Sequence, residues 1–134
     1  MSNKRQRVSG RKDTAPFIKI TKQMVSHPNY FNLNGHSIKL LNQIMEQYNG
    51  NNNGDLQASW YIFKDRGWNS PTTLNKAKDE LLEKGFIVMT RKGGFKNHTP
   101  NLYALTWYKI DVVKAFYDPG LKKFEGKTLN WWRD

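Results

Sequence analysis

Between Ser70 and Gly85 the chain carries a full set of helix punctuation. A hydroxyl stands at the N-cap, and proline takes the first helical position, where its missing N–H costs nothing. Glycine follows just past the end. Within these limits Leu74, Ala77, Leu81 and Leu82 recur at helical spacing as a buried stripe. Thr72, Lys76, Asp79 and Glu83 fall on the opposite face, flanked by Thr73, Asn75 and Glu80. Two β-rich runs come next, Phe86–Thr90 and Leu102–Trp107. The loop between them, RKGGFKNHTPN, is basic and contains glycine, so the three pieces predict a β-hairpin with a long tip.

Upstream, Asn34 reads as another N-cap, with Leu33 placed to staple onto Ile38. Ile38, Leu41, Met45 and Tyr48 recur at helical spacing, Leu40 and Ile44 widen the stripe, and Asn49-Gly50 ends the helix. The turn-rich NGNNNGD loop leads to Leu56-Gln57-Ala58, a short strand, and Ser59 caps a short helix from Trp60 to Arg66 that Gly67 stops. Trp60, Tyr61, Ile62 and Phe63 cannot all face inward on one helix. Before Leu33 the reading is irregular, broken at Pro28, with Met24, Val25, Tyr30 and Phe31 as anchors and Phe17, Ile18 and Ile20 beginning the folded part. The predicted organisation is a disordered basic arm over 1–15, a domain over 16–108 and an extension over 109–134. The arm holds Lys4, Arg5, Arg7, Arg11 and Lys12, and a nucleic-acid tail and a solubilising leader both fit it. The extension carries an amphipathic piece, Val112, Val113, Phe116 and Tyr117, which Asp118-Pro119-Gly120 breaks. Trp131 and Trp132 near the end suit either the core or the seal of a homodimer.

At 134 residues the chain has the size of one domain. Lys and Arg number 22 against 11 acids, a net charge of +11 that attracts polyanions. There is no Cys, which excludes disulfides, thiolate zinc sites and a cysteine nucleophile. No apolar run approaches the roughly 20 residues that cross a bilayer, so no membrane partner and a cytoplasmic protein are expected. His27, His36 and His98 are scattered without metal-ligand spacing, and no GxSxG, Walker or dinucleotide loop occurs. Asp79, Glu80 and Glu83 read as a solvated helix face. The expectation is a protein that is not an enzyme and needs no cofactor.

Three blocks in order, LNGHSIKLLNQIMEQYNGNNNGDL, RGWNSPTTLNKAKDELLEKGFIVMTRKGG and NLYALTW, resemble the small winged helix-turn-helix proteins of bacterial genomes, phages and mobile elements. The resemblance spans Met24 to Trp107. It implies an α+β fold, a three-helix core with a β-hairpin wing, and double-stranded DNA as partner for a transcriptional regulator or a replication or maintenance factor. In such a fold the Ser70 helix lies in the major groove with its N-terminal half toward base edges. Ser70, Thr72, Thr73, Asn75 and Lys76 are then the candidate contacts, through an N-terminus that favours phosphate and side chains able to read bases. Arg91, Lys92 and Lys96 of the loop would meet phosphates, with His98 also available, in a run without acids between Glu83 and Asp111. Ordinary readings stand beside these, a mixed-charge surface helix and a basic hairpin that keeps an edge soluble. Two other functions stay open. One is a protein-interaction module for an acidic partner, and the other is an RNA binder stacking bases on Tyr61 and Phe95.

Overall fold

Thr21 Oγ1 accepts the N–H of Met24 and His27 Nδ1 accepts that of Asn29, and each cap opens a short helix, α1 (Lys22–Val25) and α2 (Pro28–Phe31). The segment expected to be irregular is thus helical. His27-Pro28 is a cap followed by proline at the first helical position, not a break. The structure, a computed structural model, describes residues 15–94, 98–112 and 117–134. Positions 1–14 of the basic arm, Phe95, Lys96, Val113 and Phe116 therefore lie outside the described residues. Asn34 caps α3 (Gly35–Gln47), whose buried face is Ser37, Leu40, Leu41, Ile44 and Met45, while Ile38 and Tyr48 sit at its margin. The next helix, α4 (Trp60–Phe63), is shorter than expected and buries only Phe63, leaving Tyr61 and Ile62 exposed. After it comes α5 (Pro71–Glu83), which buries Leu74, Ala77 and Leu81 against α3. Gly85 follows at φ +80°, and a Cβ there would lie 2.7 Å from the Trp131 backbone, so both conformation and space require glycine.

Two strands, β1 (Ile87–Arg91) and β2 (Leu102–Leu105), pair antiparallel with Ile87 opposite Leu105 and a bulge between Met89 and Arg91. Leu56 adds one bridge to Tyr103, through hydrogen bonds of 3.1 and 2.8 Å, in place of a full third strand. A last short helix, α6 (Pro119–Lys122), and a 3-10 turn at Trp131–Arg133 complete an α+β arrangement. Among the described residues this makes six α-helices and a two-stranded sheet, an element order compatible with a winged helix. No helix among them is long and apolar enough to cross a membrane.

The core forms where α3, α5 and the sheet meet, around Leu40, Leu41, Ile44, Leu74, Leu81, Phe86 and Leu105. Trp132 belongs to it. Only 2% exposed, it stacks on Phe86 and meets the His27 ring edge-on at 5.3 Å, so it is not free to seal a dimer. Trp131 keeps partial exposure and packs edge-on against Phe124. Of the expected anchors, Met24 is buried and Tyr30 packs on the core, whereas Val25 and Phe31 are exposed. Their helices are too short to bury a second face. Phe17 and Ile18 are exposed as well, and among the described residues Ile20 is the first apolar one to reach the core.

A buried polar knot joins the 49–55 loop to the chain after β2. Asn53 Oδ1 accepts the Leu105 N–H at 2.7 Å, and its Nδ2 donates to the carbonyls of Leu105 (2.9 Å), Lys109 (3.0 Å) and Tyr108 (3.3 Å). The Asn53 N–H donates to Asp111 Oδ2 at 2.9 Å, and the Asp111 N–H returns to the Asn53 carbonyl at 2.8 Å. The Tyr117 hydroxyl donates to the carbonyls of Asn53 and Asp111. Such bonds contribute modestly when made, but an orphaned buried group costs about 1–3 kcal/mol.

Asn53→Ala is expected to destabilise the fold by about 2–4 kcal/mol, because several buried groups lose their partner together. Denaturant titration measures this, and a loss within about half a kcal/mol would show that the knot is dispensable. Burial pushes the Tyr117 phenol up to about 12, and the Asp111, Glu125 and Asp55 carboxylates add to the shift. The folded state therefore holds this proton more tightly than the unfolded chain, whose phenols ionise near about 10. The stability linked to Tyr117 is fully present below about pH 10 and is lost as pH rises through about 12. Unfolding titrations across that range are expected to fall less steeply for Tyr117→Phe than for the natural chain.

Candidate nucleic-acid interface

The cap of α5 engages the first candidate. Ser70 Oγ accepts the Thr73 N–H at 3.2 Å and lies 3.0 Å from the Thr73 hydroxyl, so Ser70 and Thr73 hold each other. Thr72, Asn75 and Lys76 are exposed on the outer face of the helix, with Asp79 and Glu83 further along it. The turn before α5 is held against α3 by a polar ladder. Trp68 Nε1 donates to Gln43 Oε1 at 2.7 Å, Gln43 Nε2 donates to the Arg66 carbonyl at 2.9 Å, and Lys39 Nζ donates to the Gly67 carbonyl. The Lys39 ammonium also lies 4.9 Å from the centre of the Trp68 ring. These contacts fix where the first turn of α5 begins.

Glu80 has a task that its place on the helix face did not suggest. Its Oε1 accepts the Asn34 N–H at 3.0 Å and the buried Ser37 hydroxyl at 2.5 Å, capping α3 from a neighbouring helix. This takes Glu80 away from Lys76, its partner one turn earlier by spacing. The ion pairs found among the described residues are Arg66–Glu46 and Lys109–Asp111, and Lys76 has none. Between the start of α3 and α5 a polar cleft of about 400 Å³ is lined by Asn34, His36, Ser37, Thr73, Lys76 and Glu80. On the other flank burial lowers the Lys78 ammonium's pKa, with Asp79 opposing the shift. Burial raises the Tyr103 phenol, a hydrogen bond from Asn101 offsets this, and Asp79 adds to it. The α5 helix also packs against β1.

Within the hairpin the basic residues divide. Arg91 is half-buried and donates from Nη2 to the Pro100 carbonyl at 3.3 Å, bracing the two limbs where the expectation had it reaching outward. Lys92 is exposed, and Lys96 lies outside the described residues. The Gly93 N–H donates to Asn101 Oδ1 at 2.6 Å and the Gly94 N–H to Thr99 Oγ1 at 2.8 Å. A Cβ on Gly93 would stand 2.1 Å from the Thr99 carbonyl oxygen, so only glycine fits between the limbs. His98 is exposed at φ +52°. The run is free of acids along the chain but not in space, because Asp118 Oδ2 accepts the Lys92 N–H at 2.9 Å.

No group of three or more His, Cys, Asp or Glu residues is placed to hold a metal ion among the described residues. No protein-family model, curated protein or solved structure matches the chain.

Glu80→Ala is expected to destabilise the fold by about 1–2 kcal/mol, since it removes the acceptor of the Asn34 N–H and leaves the buried Ser37 hydroxyl only the longer contact to the Ala77 carbonyl at 3.4 Å. Glu80→Gln, which keeps an amide oxygen there, is expected to lose less. Thermal melts decide the matter, and a shift within about half a kcal/mol for both variants would return Glu80 to the solvated face.

Proposed function

We propose that the chain is a winged helix-turn-helix protein that binds double-stranded DNA, with α5 as its recognition helix and the 92–101 loop as its wing. The observation that carries this reading is Lys76. Its helical partner Glu80 is engaged elsewhere, and the ammonium stands exposed and without an ion pair among the described residues, beside Thr72 and Asn75 on the first half of α5. Unpaired cations on a surface are what phosphate and base-edge contacts require. The net charge of +11 supports the same partner, and so does the element order from α3 through β2. Within this reading Thr72, Asn75 and Lys76 read bases, Lys92 neutralises phosphate, and Ser70, Thr73 and Arg91 hold the frame. The protein acts as a transcriptional regulator or as a replication or maintenance factor of a mobile element.

A second reading rests on Tyr61, 79% exposed on α4 with Lys64 Nζ 5.3 Å from its ring centre. An exposed aromatic beside a cation suits stacking on an unpaired base. Salt titrations on random duplex, single-stranded DNA and RNA separate the two. Duplex binding with a log–log slope of about −0.9 per phosphate contact is expected. Preference for RNA, abolished by Tyr61→Ala, would favour the second reading, and a flat slope would point to a protein partner.

On a duplex selected from a random pool, Lys76→Ala is expected to cost about 1–3 kcal/mol and far less on random duplex. Lys92→Ala is expected to weaken both equally and to reduce the salt slope by about one contact. Equal losses on both duplexes for Lys76→Ala would confine α5 to the DNA backbone.

A further inference from the structure

At the end of β1 two backbone groups find their partner outside the sheet, and in both cases the partner is Asp118. The Thr90 carbonyl accepts the Asp118 N–H at 2.8 Å, and the Lys92 N–H donates to Asp118 Oδ2 at 2.9 Å. One residue thus does for this edge what a third strand would do. Asp118 stands at the N-cap position of α6, where a carboxylate ordinarily accepts an N–H of its own helix. It makes no such bond. Its neighbour Tyr117 is buried and tied to Asn53 and Asp111, and Thr90 Oγ1 donates to the Gly54 carbonyl at 2.7 Å, so the support behind Asp118 is rigid.

We propose that Asp118 is the positioning residue of Lys92, where the chain leaves β1, holding it at a set distance from the fold so that its ammonium meets a DNA phosphate. The consequence for DNA rests on the function proposed above, whereas the bracing of Lys92 does not. The carboxylate acts in two opposed ways. Its hydrogen bond orders Lys92, and its charge repels the phosphate that Lys92 would meet. Charge alone would make Asp118 a liability for binding a polyanion, so the bond is the feature that accounts for its place.

Two substitutions that change charge equally separate the effects. Asp118→Asn keeps an acceptor oxygen near the Lys92 N–H, and Asp118→Ala keeps none. Amide hydrogen exchange of the free full chain, followed by NMR, reads the bracing. In Asp118→Ala the Lys92 amide is expected to exchange about tenfold faster, the scale of one hydrogen bond to a charged group. The Leu105 amide, held by Asn53, should not change and reports on global unfolding. Asp118→Asn should keep most of the Lys92 protection. Binding to random duplex at low salt then reads the consequence. Asp118→Asn should bind roughly two- to fivefold tighter, the range of a weak exposed charge interaction. Asp118→Ala should gain nothing or weaken, despite carrying the same charge. Unchanged Lys92 exchange in Asp118→Ala would overturn the bracing, and equal tightening in both variants would overturn its link to DNA. Faster Lys92 exchange in a chain that binds no duplex would leave the bracing intact and sink the DNA reading instead.

Discussion

The side-chain amide of Asn53 is fully buried and bonded to both ends of Leu105 and to two carbonyls beyond it, while its backbone exchanges hydrogen bonds with Asp111. Apolar burial is non-directional and would hold the 49–55 loop near the sheet without choosing a register. A buried amide does choose, because a slip of one residue would strand its donors and acceptors away from water. Through Asn53 the loop after α3, the exit of β2 and the start of the C-terminal extension become one unit. The extension then returns along β1, where Tyr117 closes over Gly54 and Asp118 reaches Thr90 and Lys92.

The acids near the candidate interface follow the same economy of polar groups. Glu80 caps α3 and Asp118 caps the end of β1, each accepting bonds from another element's backbone. A carboxylate so engaged is fixed in position and forms no ion pair with the lysine beside it, Lys76 one turn before Glu80 and Lys92 whose N–H Asp118 accepts. Lys76 and Lys92 are both in that position, exposed and without an ion pair among the described residues. Asp79 and Glu83 remain on the outer face of α5, toward its C-terminal half, so the charge of that face changes sign along its length.

Local features of the fold were readable in the sequence, because their causes lie within a few residues. Ser70-Pro71 and Asn34 cap the helices they were expected to cap, Gly85 terminates α5, and the hairpin strands appear within a residue or two of their expected bounds. The same punctuation was present at His27-Pro28 and Asp118-Pro119. There it read as a break, since no apolar stripe follows to advertise a helix, and the two helices are only four residues long. Long-range polar partners left no local trace. Glu80 is 46 positions from Asn34, and Asn53 is 52 from Leu105, and nothing in either neighbourhood announces the other. The candidate site was legible in part for the same reason. The exposure of Thr72, Asn75 and Lys76 follows from helical periodicity, whereas the inward turn of Arg91 depends on the Pro100 carbonyl across the hairpin.

That division bears on how a basic hairpin can act as a recognition element at all. Lysine side chains carry large rotamer entropy, and a mobile loop adds backbone entropy that must be lost on contact with phosphate. Ordering the backbone beforehand reduces the second cost and leaves only the first. Lys92 sits between two such constraints, the Asp118 carboxylate on one side and, one residue on, the Gly93–Asn101 bond across the loop. Both partners are side chains accepting from backbone N–H groups, so neither bond uses the lysine head while the backbone around its Cα is held. A hairpin built this way derives its positive charge from local sequence and its position from residues far along the chain, so either can change while the other is kept.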